Sequence, residues 1–162
     1  MTGSPPWSDA APAEWWERLA ARLIEALVFG VFYYILFVAL WAAFRTVGLL
    51  EAFDGRLPGV FACLLAGLGY TVYDWTAHSM GCRTFGKAIM KIRLEPGGLR
   101  RGALLKRSLI YPGAVMVMGI PVVNVLAGIF VFWVGILILI DRPLQRGPHD
   151  RLAGTLVTKD LR

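Results

Sequence analysis

Three long apolar stretches constrain this chain more than any other feature. They cover Leu23–Phe44, Gly59–Ala77 and Ser108–Ile140, and the last holds no charged residue over 33 positions. A helix of about 20 apolar residues spans the hydrocarbon core of a bilayer. The sequence therefore predicts an all-α membrane protein built as a helix bundle. A chain of 162 residues that is 57% hydrophobic leaves no room for a separate catalytic domain.

The segment between the second and third stretches is strongly basic. Residues 82–107 hold eight basic residues and one acidic residue, a net charge of +7, whereas residues 1–22 carry −1. Lys and Arg near helix ends concentrate on the cytoplasmic side of a membrane. We therefore expect this loop and the N-terminus to be cytoplasmic. Because the charges flank apolar helices, they predict contact with anionic lipid headgroups rather than nucleic acid.

The third apolar stretch is long for one crossing and short for two. Pro112, Pro121 and the sequence of residues 119–124 predict a break within it. We therefore expect four spans in a membrane domain of residues 15–157, between an interfacial lead-in (1–14) and a short tail (158–162). The expected spans are residues 20–44, 59–80, 103–118 and 122–140. One kinked third crossing, with an external C-terminus, is the alternative.

Charged and polar side chains form stripes on the first two spans, close to the predicted cytoplasmic side. The spacing places each set on one helix face: Arg18, Arg22 and Glu25 in the first span, and Asp74 and His78 in the second. An ionised side chain at mid-membrane costs about 2.5–3.5 kcal/mol. We therefore expect Arg18 or Arg22 to pair with Asp74, and Lys106 or Arg107 to pair with Glu25.

Two roles are open for this intramembrane cluster. It is either a polar clamp that fixes how the helices pack, or a proton or cation route through Glu25 and Asp74 with His78 as a titrating neighbour. A metal site from Asp74, His78 and Cys82 is not expected, because Gly81 ends the helix before Cys82. No cofactor is expected either.

Small residues at helical spacing occur in the first and last apolar stretches. Ala26 and Gly30 lie four residues apart, and Gly128 and Gly135 lie seven apart. Such pairs allow helices to approach closely. We expect them to serve packing within this bundle rather than a dimer interface.

The sequence Gly81–Lys87 matches the pattern of a phosphate-binding loop. That loop requires a preceding buried strand and a following Ser or Thr. Here a membrane helix precedes the match and Ala88 follows it. Nucleotide binding is therefore not expected.

Several segments together resemble the RDD family of small bacterial membrane proteins. They cover nearly the whole chain, and they are Trp16–Glu25, Gly81–Lys87 with Ile92–Leu94 and Gly97, Leu105–Leu109 and Gly147–Thr155. In the first of these segments, the arginine of the family pattern corresponds to Arg18. The acidic residue that follows it is more often Asp in the family and is Glu25 here. Lys91 stands where the family commonly has glycine. The resemblance implies a multi-pass protein of the bacterial inner membrane, and some members have been proposed as sodium/proton antiporters.

The resemblance also bears on the cytoplasmic side. Two short β-like runs, residues 89–94 and 154–157, are expected to pair beneath the membrane. The expected cytoplasmic cap contains Arg83, Lys87, Arg93, Arg107, His149 and Asp150. Within it, Asp150 is expected to contact Arg83, Arg93 or Lys87.

These observations favour a non-catalytic role. We expect an accessory or assembly subunit that docks through helix faces to a larger membrane complex. The alternative is a cation/proton antiporter that uses Glu25 and Asp74. No paired carboxylates or nucleophile–base set indicates an enzyme.

Overall fold

A computed structural model describes residues 11–51, 54–81, 83–96, 101–141 and 144–160. The described chain is mostly helical with one small sheet. In chain order its elements are α1 (Trp15–Thr46), α2 (Leu57–Ser79), α3 (Phe85–Ile89), β1 (Ile92–Pro96), α4 (Arg101–Ile110), the 3₁₀ helix η1 (Gly113–Gly119), α5 (Val123–Ile140), α6 (Pro148–Ala153) and β2 (Thr155–Lys159).

Three of these helices, α1, α2 and α5, are long and apolar enough to cross a membrane. The shortest, α5, has 18 residues and is therefore about 27 Å long at 1.5 Å per residue. Helices α1 and α2 pack antiparallel, since Phe29 stacks on Tyr70 and Phe44 contacts Phe61 nearer the connecting loop. The expectation of a helical membrane protein is confirmed at this level.

The predicted third span, residues 103–118, is not one helix. Helix α4 ends at Ile110, and Pro112, which has no N–H to donate, precedes η1. The two pieces nevertheless run beside α2 and antiparallel to it. Ser108 Oγ donates to Asp74 at 2.7 Å, and Cys63 Sγ lies 3.3 Å from the Val115 carbonyl oxygen.

The chain reverses between η1 and α5, as the sequence predicts. Helix η1 ends at Gly119, α5 begins at Val123, and Val122 between them has a φ of 71°. The reversal places α5 against η1 rather than against α1.

The two strands form an antiparallel pair, and the expected pairing beneath the bundle is confirmed. Leu94 pairs with Val157. The backbone of the α1 lead-in joins the sheet, because Ala13 N donates to the Val157 carbonyl at 2.9 Å. Ile92 and Val157 pack in the small buried core with Ala13, which precedes α1, and with Ala21 of α1. We call this end of the bundle, where α1 begins and the sheet lies, the cap end.

The expected packing of small residues within the bundle is not what the structure shows. A Cβ built at Gly30, Gly128 or Gly135 would have nothing within 4 Å in the described part of the chain. No neighbouring helix among the described elements therefore approaches these glycines closely, although Gly30 and Gly135 line spaces between helices. Close approach occurs elsewhere, at Gly67, whose Cβ would lie 2.6 Å from Met116 Cα.

Candidate functional site

Asp74 is the centre of a buried charged cluster near the cap end. Its side chain is fully buried and receives contacts from two other helices. Arg22 Nη1 of α1 lies 3.1 Å from Oδ1, and Arg107 Nη1 of α4 lies 3.3 Å from Oδ2. Ser108 Oγ donates to Oδ2 at 2.7 Å. One carboxylate therefore joins α1, α2 and α4.

Glu25 lies beside this centre and shares Arg22 with Asp74. Arg22 Nη1 is 2.8 Å from Glu25 Oε2, and the Tyr70 hydroxyl donates to the same oxygen at 2.7 Å. The other oxygen, Oε1, is buried and has no hydrogen-bond partner among the described residues.

The expected pairing of Glu25 with Lys106 or Arg107 is wrong. Helix α3 fills the space beside Glu25, because a Cβ at Gly86 would lie 3.1 Å from Glu25 Cγ and would overlap the Ala21 carbonyl oxygen. Helix α4 therefore meets α2 instead, and Arg107 reaches Asp74. Lys106 points outward and is exposed.

Asp150, on α6, extends the cluster into the cap. Arg107 Nε donates to Oδ1 at 2.9 Å, and Thr155 Oγ1 lies 3.2 Å from the same atom. Arg18 Nη1 lies 4.0 Å from Oδ2. Burial would raise the pKa of Asp150, but its interactions with His149, Arg107 and Arg18 hold that pKa below its ordinary value.

The expectation that Asp150 contacts Arg83, Arg93 or Lys87 is therefore wrong. Arg83 pairs with Asp160 and Arg93 pairs with Glu95, and these arginine side chains are 44% and 40% exposed. The arginines that reach Asp150 are instead Arg107 and Arg18.

Arg18 does not pair with Asp74. Its Nε donates to the Ala13 carbonyl at 3.2 Å, and Nη2 donates to the Val157 carbonyl at 2.9 Å. Nη1 donates to the Gln145 carbonyl, in the segment before α6. Arg18 thus ties the start of α1 to the sheet and to the chain that follows α5.

Lys87 belongs to the buried cluster as well as to the cap, a role that its position in the sequence did not indicate. Its Nζ lies 2.6 Å from His78 Nε2, while His78 Nδ1 lies 2.5 Å from the Asp74 carbonyl oxygen. Nδ1 must donate to that carbonyl, so Nε2 carries the lone pair that accepts from Lys87. Burial, with Arg107 and Arg22 nearby, lowers the pKa of Lys87 to about 7.

His149 is buried in the cap and is held neutral. Its ring centroid lies 5.6 Å from that of Tyr111, and Nε2 lies 3.5 Å from Asp150 Oδ2. Burial is the main reason that the pKa of His149 falls to about 4. The ring is therefore neutral at neutral pH, and it acts on Asp150 as a cation only in acid.

The sequence contained a signal for one further member of the cluster. Tyr70 lies four residues before Asp74, on the stripe that continues to His78. Its hydroxyl contacts both Glu25 and Arg22, at 2.7 and 3.2 Å. Ser108 and Thr155 carried no such signal, because their roles depend on how α4 and α6 approach.

Two cavities meet at the cluster. The first, of about 320 Å³, lies between α1 and α5, and the second, of about 360 Å³, lies between α1, α2 and η1. Arg22 and Tyr111 line both cavities. The Arg22 guanidinium carbon lies 5.0 Å from the centroid of the Tyr111 ring. This pair therefore separates the two spaces.

Membrane-length apolar helices around a buried cluster of arginines and carboxylates define a helical membrane protein. The chain belongs to the RDD family, because the family model matches residues 12–154, most of its length. A comparison with curated proteins finds no match. A comparison with solved structures also finds none.

Proposed function

We propose that the protein is a non-catalytic membrane subunit that docks to a larger complex through α1 and α5. The exposure of these helices carries the proposal. In the most apolar 18-residue stretch of each helix, only 6% of the residues of α1 and 11% of those of α5 are buried within the chain. The corresponding share for α2 is 39%. Helices α1 and α5 therefore leave more of their apolar surface uncovered than α2 does.

The open glycines support docking by a helix as well as contact with lipid. Gly30 and Gly128 are exposed, and no described atom occupies the space beside them. In a membrane, small residues let a second helix approach closely enough for backbone contact. A partner helix at these positions would gain packing that lipid chains do not provide.

The geometry of the buried cluster favours the clamp over an ion route. Both Asp74 oxygens are engaged, by Arg22 on one side and by Arg107 and Ser108 on the other. A carboxylate paired in this way has little freedom to bind and release a cation. Its arginines would also oppose the entry of a cation.

We further propose four crossings of the bacterial inner membrane, with both chain ends on the cytoplasmic side. The described basic residues between Arg83 and Arg107 lie at the cap end, and α4 with η1 runs the length of α2 as a broken third crossing. Thiol labelling of single cysteines tests this. A cysteine at Lys106 should react only from the cytoplasm, and one at Leu49 should react only from outside.

Docking is tested by purification in a mild detergent. The wild-type chain should migrate with a partner chain, and Gly30→Leu or Gly128→Leu should release that partner. Gly102→Leu is the matched control, because Gly102 is also open but lies on α4 at the cap end. A wild-type protein that migrates as a monomer would contradict the proposal.

A second candidate is a cation/proton antiporter that uses Glu25 and Asp74. The buried Glu25 Oε1, without a partner among the described residues, favours it, because an unpaired carboxylate oxygen is free to bind a proton or a cation. Liposomes that contain the protein and a pH-sensitive dye decide between the two. Sodium-driven proton flux that is lost in Glu25→Gln would replace the docking role with transport.

A further inference from the structure

The cavity between α1 and α5 combines an apolar wall with a charged floor. Its wall includes Leu19 of α1 and Phe132, Gly135 and Leu139 of α5. Parts of this wall are open rather than packed against other residues: Phe132 is 71% exposed and Leu19 is 50% exposed. Helices α1 and α5 do not pack closely on each other in the described part of the chain. The cavity therefore opens sideways, toward the lipid.

The floor of this cavity is predominantly basic. The charged side chains that line it are Arg18, Arg22, Lys87, Arg107 and Asp150. The three arginines already contact carboxylates of the cluster. Lys87 differs, because its described hydrogen bond goes to the uncharged Nε2 of His78 rather than to an acid. Lys87 is 3% exposed, so it is a cation enclosed at the base of an apolar space.

We propose that this cavity binds one anionic phospholipid, with its phosphate at Lys87 and an acyl chain between α1 and α5. A buried ammonium whose described hydrogen bond goes to an uncharged imidazole favours a negatively charged group beside it. A cation would be repelled by the floor, and a small soluble anion would leave the apolar wall unfilled. A lipid phosphate with its attached chain satisfies both surfaces.

The dimensions of the cavity suit part of a lipid. A volume of about 320 Å³ is at the lower end of the range for small-molecule sites. It therefore holds the phosphate and the first part of a chain, and the remainder extends into the bilayer. This inference does not depend on the docking role, since a lipid fills the cavity in a free subunit as well.

Native mass spectrometry of the purified chain with phosphatidylglycerol and phosphatidylcholine tests the charge requirement. We expect one phosphatidylglycerol to be retained per chain, at least tenfold more than phosphatidylcholine. Lys87→Met should remove this preference. Lys106→Met is the matched control, because it deletes an exposed lysine and leaves the cavity unchanged. Equal retention of both lipids, or an unchanged preference in Lys87→Met, would overturn the proposal.

A second pair of variants tests the position of the site. Gly135→Leu should fill the cavity and reduce phosphatidylglycerol retention at least tenfold, since space is open beside Gly135. Gly128→Leu adds the same side chain two turns away, outside the cavity, and should retain the lipid. Equal retention by these two variants would place the lipid elsewhere.

Soluble competitors identify the source of the phosphate. Dodecyl phosphate should displace the lipid, and glycerol phosphate, which has no chain, should not. Displacement by both compounds would mean that the site binds phosphate without a lipid. A protein segment that co-purifies in the cavity and excludes lipid would likewise overturn the proposal.

Discussion

The cap end of the bundle and its far half join their helices by different means. At the cap end, buried carboxylates hold the elements together: Asp74 contacts arginines of α1 and α4, and Asp150 contacts the same α4 arginine, Arg107. In the far half, η1 packs directly on α2, where Gly67 and Gly119 allow backbone contact. Charge fixes one end and close packing fixes the other.

This difference shows how the chain combines a defined arrangement with exposed helices. A buried ion pair is directional, so the cluster specifies which helices meet and at what height. Such a clamp at one end leaves α1 and α5 free to expose their far faces to lipid or to a partner. Four predictions test the contrast, beginning with the largest expected effect.

Asp74→Asn should weaken the cap end most. The amide leaves Arg22 and Arg107 facing each other without a full negative charge, and removing one partner of a buried pair costs about 3–5 kcal/mol. Unfolding in mixed detergent micelles should report this loss. Glu51→Gln, which alters an exposed acid, should change stability by less than about 0.5 kcal/mol. Similar effects of the two variants would show that the buried cluster does not hold the cap end together.

Gly67→Ala adds one methyl group, and it should destabilise the fold more than a methyl group added elsewhere in the far half. Its Cβ would lie 2.6 Å from Met116 Cα, so η1 must shift, and overpacking of this kind costs about 1–3 kcal/mol. Gly30→Ala meets open space in a helix and should raise stability by up to about 1 kcal/mol. Thermal unfolding of both variants measures the difference. A stabilising Gly67→Ala would mean that α2 and η1 are not in contact.

Lys87 should make stability rise with pH. Its pKa is about 7 in the folded chain and about 10.5 when unfolded, so between these values the unfolded state binds more protons. Stability should therefore increase on the order of 2 kcal/mol from pH 7 to pH 9. The groups that act on Lys87 are His78, Arg107, Arg22, Asp74 and Glu25.

The control for this pH dependence is Lys87→Met, in which the rise should disappear. Unfolding curves of both proteins from pH 6 to pH 10 provide the measurement. A rise of equal size in the variant would assign the titration to another group.

Arg83→Ala should have the smallest effect. Arg83 pairs with Asp160, but its side chain is 44% exposed, and exposed ion pairs contribute about 0–1 kcal/mol. The unfolding midpoint should hardly move, and less at high salt. A loss as large as that of Asp74→Asn would show that charge clamps the surface of the cap as well as its interior.

The sequence alone predicted much of the cluster but few of its pairs. Helical spacing placed Arg22 and Glu25 on one face and Asp74 and His78 on another, and the cost of charge in lipid required them to meet. The assignments of Glu25 and Asp150 to partners were wrong. Each depended on where a short element, α3 or α6, enters the bundle, and residue spacing within a single helix carries no information about that.

The third span shows the same limit. The prolines predicted a break in the last apolar stretch, and the break occurs. Composition did not predict that residues 113–119 form a 3₁₀ helix, or that this helix packs closely on α2 at Gly67 and Gly119.

The sequence by itself determined which segments lie in the lipid and which lie in water. Runs of apolar residues, the basic loop and the spacing of charges follow from local chemistry, and they identify a helical membrane protein with a polar face. What only the tertiary structure decided is which charge meets which, and that Lys87 is enclosed beside a neutral histidine at the base of a cavity. The physical reason is that an ion pair acts over a few ångströms, so its partners are fixed by how distant elements pack.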